Sequence, residues 1–429
     1  MLIFILIIEG LIFFILKQIF GVLNTNLEVS STIIIIINTI VYLFLLTKYA
    51  KNKKEYMILF LAYFIRILFL YWDLYGRNIF VLPNSGADSE MYNTFAIQYA
   101  QGLDEGQGGL YSIIVGLFYK MYGIQRILAQ YVNVVLGIYT IVIVKRILEL
   151  LKIDEKMKFY LILIVCFLPN SIIISSILIR ESTMIFLITL SLFYFIKWWL
   201  KGTIPYFILA IILPLIAALF HSGAIAPIIG YVLCYIFYNP AYRKFNFNIR
   251  TGALGIGFLI IFFVINTLWG DILFGKFQNV ESATDITNKV TSYTKGGSAY
   301  LEGLQVSSTT DLILYSPIRM FYFIASPLPW DWRGFNDIFA FVFSGMLYLI
   351  TYVYAFRALR VKNNVDRNLI IVLLFITICT SLMFAWGVSN AGSALRHREK
   401  FIAVYVVLAS ISIHVLRKNR NLKESRKSI

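Results

Sequence analysis

The chain has 429 residues, 59% hydrophobic, 17% aromatic and only 14% charged, which is more apolar side chain than a water-soluble fold has interior to hide it. A lipid bilayer is therefore the required solvent. The formal net charge of +16 does not indicate nucleic acid, because the basic residues stand in short clusters between apolar runs and not along one polar face.

A transmembrane helix takes about 20 mostly apolar residues. The first apolar run, Met1 to Phe20, has no basic start and no small-residue cleavage site, so it reads as a span and not as a removed signal peptide. On the same ruler, spans are predicted near residues 2–20, 31–47, 57–72, 124–144, 159–178, 183–200, 204–220, 222–238, 251–269, 338–356, 368–386 and 401–416. The predicted fold is an all-α, polytopic transmembrane helical bundle of about twelve spans, a single integral membrane domain over 1–429 with no repeat of 20 to 50 residues. Cys166, Cys234 and Cys379 lie inside apolar runs without metal-ligand spacing and read as small apolar fillers.

Most lysines and arginines fall in alternate connections. These hold Lys48, Lys51, Lys53 and Lys54, then Lys145 to Lys158, Lys197 and Lys201, Arg243 to Arg250, Arg357 to Arg367, and the tail from Arg417 to Lys427. The positive-inside rule assigns that side, and both termini, to the cytoplasm. Isoleucine and lysine richness suggests a low-GC bacterium, and the multi-pass topology then places the chain in its cytoplasmic membrane. The long irregular segments then face outward: a first outer loop over 73–123, a second over 270–337 and a shorter one over 387–400. Chemistry concentrates in such segments. Two apolar stretches within them, Gly109 to Tyr122 and Leu312 to Leu328, break the charge pattern as spans and are expected to lie in the outer interface as helices.

In the first outer loop, Pro83 to Tyr92 carries Asp88 and Glu90. Ser85 and Asp88 have capping-box spacing and acids favour a first helical turn, which accounts for both carboxylates structurally. A carboxylate held where spans converge is also the natural general base toward a hydroxyl acceptor. The hairpin between the fifth and sixth spans carries Arg180 beside Glu181. That pair either neutralises itself or offers a guanidinium fork to phosphate. His221 marks the next outer turn and, lacking companions for a metal, reads first as a packing residue. Trp330, Asp331, Trp332 and Arg333 read either as an interfacial belt with a helix stop or as a sugar-stacking platform, with Arg319 upstream. Arg396, Arg398 and Lys400 are basic on the side where basic residues are scarce, so they should answer something negative, lipid phosphate being nearest. Arg66, in mid-span, should face the bundle interior and pair there.

No phosphate-binding GxxxxGK[ST] loop, HExxH zinc motif or paired-cysteine metal site occurs. No cofactor is implied, and a divalent cation stays open.

The acid-bearing loop Gly86 to Tyr92, the helix ending at Tyr122-Gly123, the next span with Arg126 and Asn133, and the Pro169 to Glu181 hairpin together resemble the GT-C superfamily of membrane glycosyltransferases, including its protein mannosyltransferase and aminoarabinose transferase branches. The likeness covers roughly residues 57 to 200. It implies transfer of a sugar from a polyprenyl-phosphate or polyprenyl-diphosphate carrier to a glycan, lipid or protein acceptor on the outer face, in assembly of the cell envelope. On the matching positions Asp88 is the catalytic acid acting as base toward the acceptor and Glu181 the second acid. Two spans precede the one that leads into the acidic loop, Ser89 replaces the second acid of the common Asp-Glu pair, and no large outer domain follows. The layout is also similar to O-antigen and capsule polymerases; in that reading Arg180, Arg319, Arg396 and Arg398 hold the carrier diphosphate while Asp88 or His221 activates the acceptor. A transporter or flippase for a lipid-linked sugar is the alternative of another class. It calls for related halves and helices broken at mid-membrane, neither of which the sequence shows.

Overall fold

The structure is a computed structural model that describes residues 27–103, 106–258, 260, 297–304, 308–361 and 366–427. The predicted span over 2–20, most of the one over 251–269, and residues 270–296 of the second loop lie outside the described residues.

Helices dominate, as the composition requires. The only strands among the described residues form a two-residue antiparallel pair, Tyr238–Asn239 with Lys244–Phe245. Among the described residues, seven helices are long and apolar enough to cross a membrane: Ser31–Tyr49, Lys53–Tyr75, Arg126–Leu150, Glu181–Lys201, Phe335–Leu359, Arg367–Trp386 and Ile402–Asn421. An eighth results if Glu155–Phe167 and Pro169–Ser176, bent by 50° at their junction, count as one. Pro169 has no N–H to continue the first helix, which suits it to open the second. The stretches expected to span near 204–220 and 222–238 form shorter apolar helices, Ile204–Ala218 and Ser222–Phe237.

Exposed apolar stripes agree with a lipid solvent. On Leu27–Tyr49, Ile36, Ile40 and Phe44 stand four residues apart on one face and are all more than half exposed. Such a continuous apolar face is costly in water and neutral in hydrocarbon. By contrast 78% of the apolar window of Arg126–Leu150 is buried, against 33% for Ser31–Tyr49, so the former is packed nearly all round and the latter keeps a lipid-facing side.

The described residues fall into two compact units, Met1–Val142 with Ser171–Thr183, and Ile143–Asn170 with Met184–Ile429. The first contains α1 (Leu27–Tyr49), α2 (Lys53–Tyr75), α3 (Ala87–Gln101), α4 (Gly109–Tyr122) and the start of α5 (Arg126–Leu150). Asn52 starts α2 by accepting from the Glu55 amide at 2.9 Å, while the Glu55 carboxylate takes the Lys51 amide at 2.8 Å. The two ends of one turn thus satisfy each other's free donors. α3 stops at Gly102, whose φ of 75° is a left-handed cap. α4 then packs along α3, with Gly116 so close that a Cβ would sit 2.9 Å from the Ala96 carbonyl oxygen. The helix Gly109–Tyr122 therefore forms where it is expected, shorter than a span. Arg66 is buried as expected: its Nε donates to Ser175 Oγ at 2.9 Å and its Nη1 to the Ala62 carbonyl at 2.9 Å.

The second unit contains α6 (Glu155–Phe167), most of α8 (Glu181–Lys201), α9 (Ile204–Ala218), α10 (Ala226–Phe237), α11 (Thr309–Leu314), α12 (Ser316–Ala325), α13 (Phe335–Ala340), α14 (Met346–Leu359), α15 (Arg367–Trp386), α16 (Ala391–Glu399) and α17 (Ile402–Lys427). The unit boundaries fall within α5, α7 (Pro169–Ser176) and α8. α17 packs on α14, α15 and α6, and α12 packs on α15 and α16. The stretch expected as one helix over Leu312 to Leu328 is thus two, α11 and α12, with Pro317 in the first turn of α12.

Candidate functional site

In the first unit the residue that organises the polar chemistry is Asp73, in the last turn of α2 and wholly buried. Its carboxylate accepts from Arg77 Nη2 at 3.2 and 3.3 Å, from Gln130 Nε2 at 2.6 Å and from Ser85 Oγ, and lies 3.5 Å from Arg126 Nη2. Arg77 also donates to Ser85 Oγ at 2.7 Å. Both guanidinium groups meet a second carboxylate: Glu90 accepts from Arg126 Nη1 at 2.7 Å and from Arg77 Nη1. Arg126 Nη2 donates to Ser89 at 3.0 Å. Two acids and two bases from α2, the following turn, α3 and α5 thus form one charge-balanced cluster.

Burial of Glu90 works against its charge, but the hydrogen bonds and charges of Arg77 and Arg126 outweigh it and hold the carboxyl below its ordinary value. Burial opposes the Arg77 cation too, yet Glu90 and Asp73 keep it above its own.

This arrangement corrects the capping expectation. Gly86 precedes α3 with no side-chain cap, because Ser85 turns its hydroxyl to Asp73. Asp88 and Glu90 do occupy the first turn of α3, where the helix dipole favours them, with Asp88 partly buried. Arg180 lies over the ring of Tyr92, 5.8 Å from its centre, one turn beyond Asp88. Tyr92 stands edge-on to Tyr111, whose hydroxyl accepts from Asn133 Nδ2 at 3.2 Å. Asn133 also donates to the Ile177 and Ile179 carbonyls at 2.7 and 3.1 Å, fixing the hairpin that presents Arg180 and the buried Glu181. The acidic loop and the basic-acidic pair thus share one unit.

The remaining expected residues belong to the second unit, where two arginines have structural employment. Arg398 is buried, and its donors go to Ser344 Oγ at 2.9 Å and to the Phe323, Ile324 and Ser326 carbonyls at 3.1, 2.9 and 2.7 Å. Those carbonyls are the C-terminal end of α12, where a helix carries partial negative charge. Burial pulls the Arg398 pKa down to about 10, which still leaves a cation at neutral pH. Arg319 does the same for α15, donating from Nε to the Ala385 carbonyl at 3.1 Å and from Nη2 to Ser389 Oγ at 2.8 Å. The positive charge at Arg398 thus answers the negative end of a helix. Arg396, on the same helix, is only partly buried.

His221 opens a 3₁₀ turn, its Nδ1 accepting from the Gly223 amide at 3.1 Å, and its ring lies 5.5 Å from Phe384 and 4.9 Å from His397. Lys400, fully buried, is 2.8 Å from His397 Nδ1. His221 thus packs against Phe384 with a second histidine as neighbour. Among the described residues no group of three or more His, Cys, Asp or Glu can hold a metal.

Asp331 and Arg333 help line a small cleft with Ser326 and Asp337, and Trp330 is not among its lining residues. Trp330 is 67% exposed and Arg333 donates from its amide to Asp337 Oδ2 at 2.8 Å.

Sequence reading passed over Asp73, Arg77 and Gln130. Its available signal was an acid at the end of an apolar span with a base four residues later, Asp73-Leu-Tyr-Gly-Arg77. No protein-family model, no curated protein and no solved structure matches the chain.

Proposed function

We propose that this chain is a GT-C-like membrane glycosyltransferase. It transfers a sugar from a polyprenyl-phosphate or polyprenyl-diphosphate carrier to a glycan, lipid or protein acceptor on the extracytoplasmic face of a bacterial cytoplasmic membrane. The whole bundle has about twelve spans with both termini in the cytoplasm, and its product is a cell-surface polysaccharide or glycolipid. The observation that carries this reading is the cluster of Asp73, Arg77, Glu90 and Arg126 gathered at the end of an apolar spanning helix, with Asp88 in the same first helical turn as Glu90. Ionisable groups that close to hydrocarbon are costly to keep.

The chemistry is a single displacement. A carboxylate takes the proton of the acceptor hydroxyl, whose oxygen attacks the anomeric carbon as the carrier phosphate leaves with the bonding pair. Glu90 is committed to two guanidinium groups, which weakens it as a base. The base role therefore falls to Asp88, in the same first turn. Arg77, Arg126 and Arg180 are the cations suited to the charge growing on the departing phosphate. Arg319 and Arg398 are spent on helix carbonyls, so a diphosphate clamp built from them, as a repeat-unit polymerase would use, loses support.

The test is turnover by purified protein in nanodiscs supplied with polyprenyl-phosphate-linked radiolabelled sugars and a mixed acceptor fraction. Wild type should release carrier phosphate and label the acceptor, and Asp88→Asn at equal protein level should not. Passage of labelled lipid across vesicles without turnover would favour the transporter and sink the enzyme.

A further inference from the structure

In the first unit two guanidinium groups end on one atom. Arg126 Nη1 donates to Glu90 Oε1 at 2.7 Å, and Arg77 Nη1 donates to the same oxygen. Neither arginine depends on Glu90 for its place. Asp73, which is 0% exposed, accepts from Arg77 Nη2 at 3.2 and 3.3 Å and lies 3.5 Å from Arg126 Nη2. Gln130, equally buried, holds Asp73 from the other side at 2.6 Å and is itself tied to the Ser176 carbonyl at 3.3 Å. The arginines are therefore anchored from within by a buried acid and meet Glu90 at their outer ends.

Glu90 is also the member of the cluster that water reaches best. Its side chain is 46% exposed, against 26% for Arg77 and 15% for Arg126. An ion pair open to solvent to that degree is held weakly. With Glu90 in place two cations face two acids; with Glu90 withdrawn they face Asp73 alone, and one positive charge is left at the first turn of α3, where the helix dipole adds to it. Gly86, which opens α3, has no side-chain cap, and a Cβ added to it would meet no atom within 4 Å, so this end of the helix is not crowded. Two guanidinium forks beside an open helix N-terminus suit a phosphate group.

The approach from the membrane is apolar. On α2, Leu61, Phe64, Leu68, Trp72 and Tyr75 recur at three- and four-residue spacing and are 39%, 46%, 50%, 40% and 59% exposed. This stripe runs along a spanning helix to within two residues of Arg77. A phosphate carried on a hydrocarbon chain gains from burying that chain there, and a free phosphate does not. The chain-borne phosphate thus has the additional binding needed to displace a carboxylate that free phosphate leaves in place.

We propose that Glu90 is the internal occupant of a lipid-phosphate site: the phosphate of an isoprenoid lipid displaces its carboxylate from Arg77 and Arg126 while the lipid chain lies along the Leu61 to Tyr75 stripe. Asp73 is the positioning residue that keeps both arginines in place during the exchange. The inference rests on the transferase reading only for the identity of the lipid as the sugar carrier.

The experiment is phosphorus NMR of farnesyl phosphate titrated into full-length protein in phosphatidylcholine nanodiscs, with empty nanodiscs as the blank and inorganic phosphate as competitor. Wild type should bind farnesyl phosphate saturably, and inorganic phosphate should compete at least tenfold more weakly. Glu90→Gln should bind farnesyl phosphate tenfold or more tighter, Arg126→Gln tenfold or more weaker, and Leu68→Ser should weaken farnesyl phosphate without changing inorganic phosphate. Should Glu90→Gln fail to fold, Glu90→Asp answers the same question, because the shorter acid withdraws from the arginines and should also tighten binding. Binding no tighter in the Glu90 variants, wild-type affinity in Arg126→Gln, or equal competition by inorganic phosphate would overturn the proposal. Tighter binding in Glu90→Gln without any sugar turnover would keep the exchange and remove the transferase, whereas turnover with an unchanged donor KM in that variant would do the reverse.

Discussion

Replacing Asp73 with asparagine keeps its shape and removes its charge, which isolates what the carboxylate does. The side chain is wholly buried and takes hydrogen bonds from Arg77, Ser85 and Gln130, with Arg126 at 3.5 Å. Removing one partner of a buried ion pair costs about 3–5 kcal/mol, because the opposite charge is left without compensation. Here the side chains of Arg77 and Arg126 are 26% and 15% exposed and both retain Glu90, so water and the second acid reduce the loss to roughly 2–3 kcal/mol. Equilibrium unfolding in mixed micelles titrated with SDS should read that difference. A double-mutant cycle with Arg77→Gln should return a coupling of about 1–2 kcal/mol, within the range seen for residues of one network. Additive single effects, or a loss in Asp73→Asn below about 0.5 kcal/mol, the size of an ordinary surface change, would show that Asp73 does not organise the cluster.

Three further outcomes follow from the same unit. Glu90 has its folded-state pKa held below the ordinary carboxylate value, so its ion pairs contribute stability that is present above about pH 4.5 and lost as pH falls through the lower folded value. The thermal midpoint of the wild type should therefore drop more steeply below pH 4.5 than that of Glu90→Gln, and identical profiles would contradict the assignment. Gly116→Ala places a Cβ 2.9 Å from the Ala96 carbonyl and 2.8 Å from the Tyr99 ring; overpacking of this kind costs about 1–3 kcal/mol, read as faster proteolysis of the 102–109 connection. Ser175→Ala takes away the acceptor of Arg66 Nε, a bond to a charged donor worth about 1.5–3 kcal/mol, and the same SDS titration should show the loss.

The helices were largely legible because spanning segments announce themselves: an apolar run of sufficient length has no other stable fate in a bilayer. The prediction at 57–72 meets Lys53–Tyr75, and that at 368–386 meets Arg367–Trp386. Where the run is short, sequence loses resolution. The stretches at 204–220 and 222–238 pass as spans by composition, yet form helices of only Ile204–Ala218 and Ser222–Phe237, separated by the turn that His221 opens. Helix ends were less legible than helices, for a cap depends on where a hydroxyl turns. Ser85 has capping spacing in the sequence and spends its hydroxyl on Asp73, twelve residues back, a partner that no local pattern names.

The same reasoning separates the two kinds of anomalous arginine. By charge asymmetry alone, Arg398 is the more conspicuous and Arg126 the less. Structure reverses their standing, because a guanidinium has five donors and what matters is how many are already taken. Arg398 spends four hydrogen bonds on a helix end and a serine, all buried, so withdrawing it to grip a phosphate would abandon carbonyls that water cannot reach. Arg126 spends its bonds on Glu90 and Ser89, and Glu90 is 46% exposed. A phosphate arriving there can take the place of a carboxylate that water already solvates, an exchange of one anion for another at little cost. If the chain does transfer sugars from a lipid carrier, the cation that meets the phosphate should be one whose present partner can be exchanged. On that criterion Arg126 and Arg77 outrank the basic segment at Arg396 to Arg398.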